Sequence, residues 1–156
     1  MSIERVKEYM KQFGKENDVL EFEVSSATVT LAAQALGTEP GRIAKTLSFK
    51  KDEGCILVVT AGDVKVDNAK YKHTFGLKAK MLTAEEAVEL IGHAVGGVCP
   101  FAVKDGVIGI YIDESVKRFE TVYPACGSSN SAIKLTPEEL FTISNATNWV
   151  DVTKLI

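Results

Sequence analysis

The chain has 156 residues, of which 46% are hydrophobic and 25% charged, and its formal net charge is −3. Those are the proportions of an ordinary globular protein of about one-domain length, able to bury a core without staples. The slightly negative balance gives no global attraction for nucleic acid, so any RNA contact must be local.

Cys55, Cys99 and Cys126 leave at least one thiol unpaired and form no CxxC or Cys/His cluster. This argues against a disulfide framework and against a structural zinc site, and it points to a reducing cytoplasm. The N-terminal stretch carries Glu4, Arg5, Lys7 and Glu8 and has no apolar run of the signal-peptide kind. Ile56–Ala61 is strand length, far short of a membrane span.

In chain order, Ser2 to Lys15 is expected to form an amphipathic helix, because Ile3, Val6, Met10 and Phe13 recur near a helical period. Val19–Val24 alternates as a short strand. An Ala-rich helix follows over Ala27–Leu36, starting after Ser25 and Ser26 and stopping at Gly37. Ile43–Phe49 and Cys55–Ala61 are two strands joined by a polar turn. Lys65–Phe75 is expected to be a short helix. Thr83 and Glu86 then make a capping box for a helix to about Ile91.

Gly92–Pro100 is a glycine-rich loop. Val107–Ile112, Thr121–Ala125 and Ser131–Leu135 are strands, with one helical turn at Ser115–Phe119. Thr136 and Glu139 repeat the capping box, with Pro137 at the first helical position and an end near Asn145; Trp149–Val152 closes the chain. No repeat or linker divides these elements, so residues 1–156 are expected to be a single domain. Strands and helices intermix without regular βαβ alternation, which predicts an α/β (mixed α+β) fold: a mixed sheet with helices packed around it.

Among the segments able to carry chemistry, Gly92-His-Ala-Val-Gly-Gly-Val-Cys-Pro-Phe101 is the most informative. Adjacent glycines let the backbone approach a ligand, and consecutive free amides can face one oxyanion. A tight structural turn would look the same. Lys45 shares a strand face with Ile43, Leu47 and Phe49, so it is either a snorkelling edge residue or a cation in a cleft. His93 and His73 share no metal-ligand spacing with other residues, and Cys99 has no neighbour to activate it. Gly127-Ser-Ser-Asn130 suits a turn first and a substrate contact second. The stretch Lys65–Lys80 holds five lysines against one Asp67, a basic patch or simply a solvated surface. GxSxG, P-loop and GxGxxG motifs are all missing, so neither metal nor cofactor is expected.

Four pieces in order resemble the YbaK/prolyl-tRNA synthetase editing-domain family. They are the Ala-rich helix ending in Leu36-Gly37, Ile43-Ala-Lys45-Thr-Leu-Ser-Phe49, Gly96-Gly-Val-Cys-Pro100, and Cys126-Gly-Ser-Ser-Asn-Ser131 leading into Ile133–Leu140. The resemblance implies a free-standing, barrel-like mixed sheet flanked by helices. It implies an enzyme that hydrolyses the ester of mischarged tRNA, above all tRNA for proline carrying a wrong small amino acid. Carried over by position, Lys45 is the functional lysine and Gly96, Gly97, Val98 and Pro100 form the catalytic loop. Gly127, Ser128 and Ser129 are candidate substrate contacts, and Lys70, Lys72 and Lys78 candidate phosphate contacts. The expected partners are the aminoacylated 3′ end of tRNA and a tRNA synthetase, with no membrane and no DNA. Asn130 and Ser131 stand where synthetase-fused relatives tend to carry a histidine, so the amino acid removed stays open. A non-catalytic module binding tRNA ends or aminoacyl ligands would use the same loop and lysine.

Overall fold

The structure is a computed structural model and describes residues 2–156. The first helix, α1 (Ser2–Met10), buries Val6 and Met10 and then tightens into a 3-10 turn, ended by Gly14 at φ +68°. The expected helix to Lys15 therefore stops a turn and a half early. The segment after it pairs as a strand only over β1 (Leu20–Glu21), because the chain beyond turns away to bond residues 129 and 130.

Thr28 caps α2 (Val29–Leu36) by accepting from the Leu31 amide, and Gly37 closes it at φ +66°. Strands β2 (Ile43–Lys51) and β3 (Gly54–Ala61) form a long antiparallel hairpin, with Lys45 opposite Thr60. The predicted helix from Lys65 begins later. Val64–Val66 is strand β4, and α3 (Asn68–Phe75) starts where the Asp67 carboxylate accepts from two free amides. A β-branched run with lysine between the valines suits an edge strand better than a first helical turn.

Both capping boxes form as expected, over α4 (Ala84–Leu90) and, after β5 (Val107–Asp113), β6 (Tyr123–Pro124) and β7 (Ser131–Ala132), over α5 (Pro137–Ile143). Each box contributes about 1 kcal/mol to its helix. Strands β8 (Asn148–Val150) and β9 (Thr153–Leu155) end the chain.

The main sheet runs β6-β2-β3-β5-β8 and is mixed: β2–β3 is antiparallel, while β2–β6, β3–β5 and β5–β8 are parallel. Two short antiparallel ribbons, β1–β7 and β4–β9, complete it. A bridge between Val122 and Leu135 joins the first ribbon to the β6 side of the sheet. This is the expected mixed sheet with helices around it.

Alternation along β3 divides the interior. Cys55, Leu57 and Val59 face the larger core with α1, α4 and α5, while Ile56 and Val58 face a smaller one under α3 with Phe49, Tyr71 and Val152. All eight β3 residues are buried, which is why this strand is a continuous apolar run rather than an alternating one.

Candidate functional site

β2 is the spine of the site. One of its edges pairs with β3 throughout, but the other meets β6 only at Ile43 and Ala44. Further on, Phe49 bridges Met81, and Lys50 and Ser48 exchange bonds with Lys80 and Leu82. Between them, no strand partner for that edge of Lys45–Leu47 lies among the described residues. A cleft of about 130 Å³ opens there, room for roughly four waters.

Its walls come from four separate segments. The start of α2 gives Ser26, Ala27, Thr28 and Val29, and β2 gives Ile43 to Thr46. The glycine loop gives Gly96 and Val98, and the last wall carries Tyr123, Ala125, Ser131 and Ala132. Lys45 is half-buried at this wall, and its ammonium donates to the carbonyl of Val64. Burial lowers its pKa from the ordinary lysine value, and the Asp63 carboxylate opposes that shift. One bond to Val64 leaves two N–H donors for a ligand. Thr46, the next residue on β2, also lines the cleft, and its hydroxyl is buried with no hydrogen-bond partner among the described residues.

The glycine loop owes its shape to contact with the second glycine turn. Gly96 has φ +95°, a conformation that side chains resist, and faces Ala27 and Ser129. At Gly97 an added Cβ would stand 2.7 Å from the backbone of Gly127, so the two loops touch main chain to main chain. The Gly97 amide is occupied, donating to Ala94 at 3.0 Å. That narrows the expected set of oxyanion donors to Gly96 and Val98, whose amides have no partner among the described residues. Pro100 is buried and turns the chain away from the cleft, lining a separate hollow with Tyr9 and Val103.

Gly127, Ser128 and Ser129 stand behind the cleft wall rather than in it. Ser128 bonds Asn130 and Ser131 within the turn, and the Ser129 carbonyl accepts from the Ser26 amide at 2.6 Å. The residues of this segment that reach the cleft are Ser131 and Ala132, which sequence reasoning passed over. Ser26 to Val29 were also missed, since only the tertiary fold brings α2 to β2.

The basic stretch runs from β4 through α3 to the segment after it, with Lys70 and Lys72 on the helix and Lys78 beyond its end, and α3 packs over the sheet face away from the larger core. Lys70 is engaged by Asp151 at 3.0 Å and by the Thr153 carbonyl at 2.8 Å. Lys72 and Lys78 line a shallow hollow with Asn68, Ala69 and Ala79. None of the three reaches the cleft.

His93 is fully buried, although a place at an exposed helix end is the commoner one for such a histidine. Cys99 is buried too, and burial pushes its thiol up to about 12, so it is no nucleophile at neutral pH. No group of three or more His, Cys, Asp or Glu able to hold a metal occurs among the described residues. Among them also, no helix is long and apolar enough to cross a membrane.

The family model for the aminoacyl-tRNA editing domain matches residues 23–143, which include every wall of the cleft. The chain belongs to this family.

It is 52% identical over 155 residues to the uncharacterized protein YwhH of Bacillus subtilis (strain 168), covering 99% of this chain and 98% of that one. It is also 31% identical over 121 residues to a proline–tRNA ligase of Geobacillus sp. (strain WCH70), a match spanning 75% of this chain but 21% of the ligase. Among solved structures, a "putative trans-editing enzyme for prolyl tRNA synthetase" superposes with a TM-score of 0.87 at 31% identity, covering 98% of this chain and 97% of that one. The hypothetical protein APE2540 gives 0.83 at 29% identity, over 96% and 99%.

Proposed function

We propose that residues 1–156 form one editing domain that works in trans, in the cytoplasm, as an aminoacyl-tRNA deacylase. The observation that carries this reading is that Lys45, Thr46 and the glycine loop, whose Gly96 and Val98 amides have no partner among the described residues, line one small cleft. An aminoacyl ester is already activated, so its hydrolysis needs a placed water and charge stabilisation more than a strong side-chain nucleophile. Lys45 holds the terminal nucleotide or the carbonyl end of the substrate. The Gly96 and Val98 amides receive the developing oxyanion. Water adds to the ester carbon, the bond to the ribose oxygen breaks, and that oxygen leaves with a proton as the free tRNA hydroxyl.

The cleft walls are small and largely apolar, with Ala27, Val29, Ala32 and Ala132 among them. They suit a small amino acid, and the likeness to proline–tRNA ligases points to tRNA for proline and to cooperation with a synthetase. Selection by size is worth only about 1–3 kcal/mol per methylene, which is why a separate hydrolytic check is useful.

The test is multiple-turnover deacylation of tRNA for proline charged with alanine, cysteine, serine, threonine or proline. Release of a small non-cognate amino acid over many rounds supports the reading. Stoichiometric binding without release of any of them would make the chain a binding module instead.

A further inference from the structure

The lysine is held by a device on the far side of its own hairpin. Asp63 sits in the turn that follows β3, and Arg118 grips its carboxylate with its two terminal guanidinium nitrogens, at 2.5 and 3.1 Å. The same turn is fixed by three further hydrogen bonds. The Ala61 amide donates to the Ser115 hydroxyl at 3.1 Å, the Gly62 amide to Gly41, and the Ile156 amide to the Asp63 carbonyl at 3.2 Å. At Gly62 a Cβ would lie 2.2 Å from the Pro40 carbonyl, so the chain here is packed backbone on backbone. One residue after Asp63, the carbonyl of Val64 receives the Lys45 ammonium.

We propose that Asp63, clamped by Arg118, is a positioning residue for Lys45: it sets the turn whose Val64 carbonyl aims the ammonium into the cleft and supplies a counter-charge to it. This rests on the reading of Lys45 as the substrate-holding cation. Asp63 is the charge that acts on Lys45, while Arg42, just before β2, is stacked over the Tyr123 ring. Thr60 lies opposite on β3, α2 has no charged residue, and Tyr123 of β6 is the titratable group on that side. Lys65, next to Val64, is exposed and pairs across to Lys154. Arg118 is engaged by Asp63. Desolvation works against the charged lysine and Asp63 works for it.

The Asp63–Arg118 pair is itself partly exposed, at 37% and 41% of the side chains. Pairs of that kind add little to stability, so its work is placement, and charge-removing variants are expected to fold.

The experiment follows the titration of Lys45 directly, through the ε-methylene signals of carbon-labelled lysine in the folded protein, alongside single-turnover deacylation. Asp63→Asn is expected to lower the Lys45 midpoint by roughly one pKa unit and to slow single turnover roughly tenfold. In a Lys45→Met background the same substitution should cost nothing more. Arg118→Gln, which leaves Asp63 to Lys45 alone, should move the midpoint upward, a sign that general loosening of the turn does not produce. An unmoved midpoint in both variants, or an equal rate loss from Asp63→Asn in the Lys45→Met background, overturns the assignment. Were Lys45→Met itself to retain full activity, the deacylase role of the lysine would fall, while the titration would still decide whether Asp63 governs it.

Discussion

Nε2 of His93 donates to the carbonyl of Phe101 across 2.7 Å, and both residues are fully buried. The bond closes the glycine loop at its base, so that Gly96 to Pro100 are held between two fixed ends. With the proton on Nε2, Nδ1 is a bare acceptor with no partner among the described residues.

A second proton on His93 has nowhere favourable to go. Burial, and then the nearby Arg5 charge, hold its pKa below the ordinary 6.5, against the opposing pull of the Phe101 carbonyl. The unfolded chain therefore binds a proton at a pH where the folded one does not. Stability from this group is complete above the unfolded value of about 6.5 and declines as pH falls below it. Melting temperatures between about pH 5 and pH 7.5 should show that decline. In His93→Gln, whose amide can still donate to Phe101, the decline should be absent. An identical decline in the variant assigns it to another group.

Gly97→Ala is expected to be the most damaging small change in the loop. Its methyl would stand 2.7 Å from the Gly127 backbone, so the two loops must separate. Overpacking of this kind costs about 1–3 kcal/mol, and loss of an oxyanion donor costs on the order of a hundredfold in turnover. Cys99→Ala should keep most of the activity, because the buried thiol stays protonated. Single-turnover rates and melts on both variants check the pair of outcomes. Abolished activity in Cys99→Ala would make the mechanism thiol-dependent.

Thr46→Val separates a functional hydroxyl from a structural one. The Thr46 hydroxyl is buried without a partner, so replacing it by a methyl of the same shape should leave the melting temperature unchanged or raise it. If that hydroxyl orients substrate or water, deacylation falls about tenfold, the equivalent of 1.4 kcal/mol. Lys45→Ala should cost at least as much, since a charge-assisted contact is worth roughly 1.5–3 kcal/mol. Wild-type rates in both folded variants would remove the β2 wall from the mechanism.

The lysines on and just after α3 give a test of the tRNA path. Lys72 and Lys78 are free to meet phosphates where Lys70 is held by Asp151. Neutralising both should flatten the salt dependence of tRNA binding by roughly 1.5 in log–log slope if each meets one phosphate. An unchanged slope marks the patch as a solvated surface on the face away from the cleft.

Local signals made much of the fold legible in the sequence. The two capping boxes, Gly37 as a stop and the apolar run of β3 each rest on residues close in sequence, and each appears where expected. Where the reading slipped, tertiary pairing had overridden a local pattern. Val64–Val66 leaves the expected helix because Thr153–Leu155 offers it a strand partner. The same division runs through the site. Lys45 and Gly96 stand out by residue type, whereas Ser131 was overshadowed by the more conspicuous Gly127–Ser129. Asp63 carries no signal at all until the hairpin folds it back beside Lys45.

The open edge of β2 has a meaning beyond catalysis. An unpaired strand edge is a template on which another chain can grow a sheet. Here the bare stretch is only Lys45–Leu47, since β6 takes up the edge on one side and Met81 on the other. Three residues span about 10 Å, too short for a stable foreign strand and enough for the reacting end of one small ligand. The flanking segments thus shield most of that edge from strand addition, and a deletion that shortened the Met81 segment is expected to be felt first as aggregation.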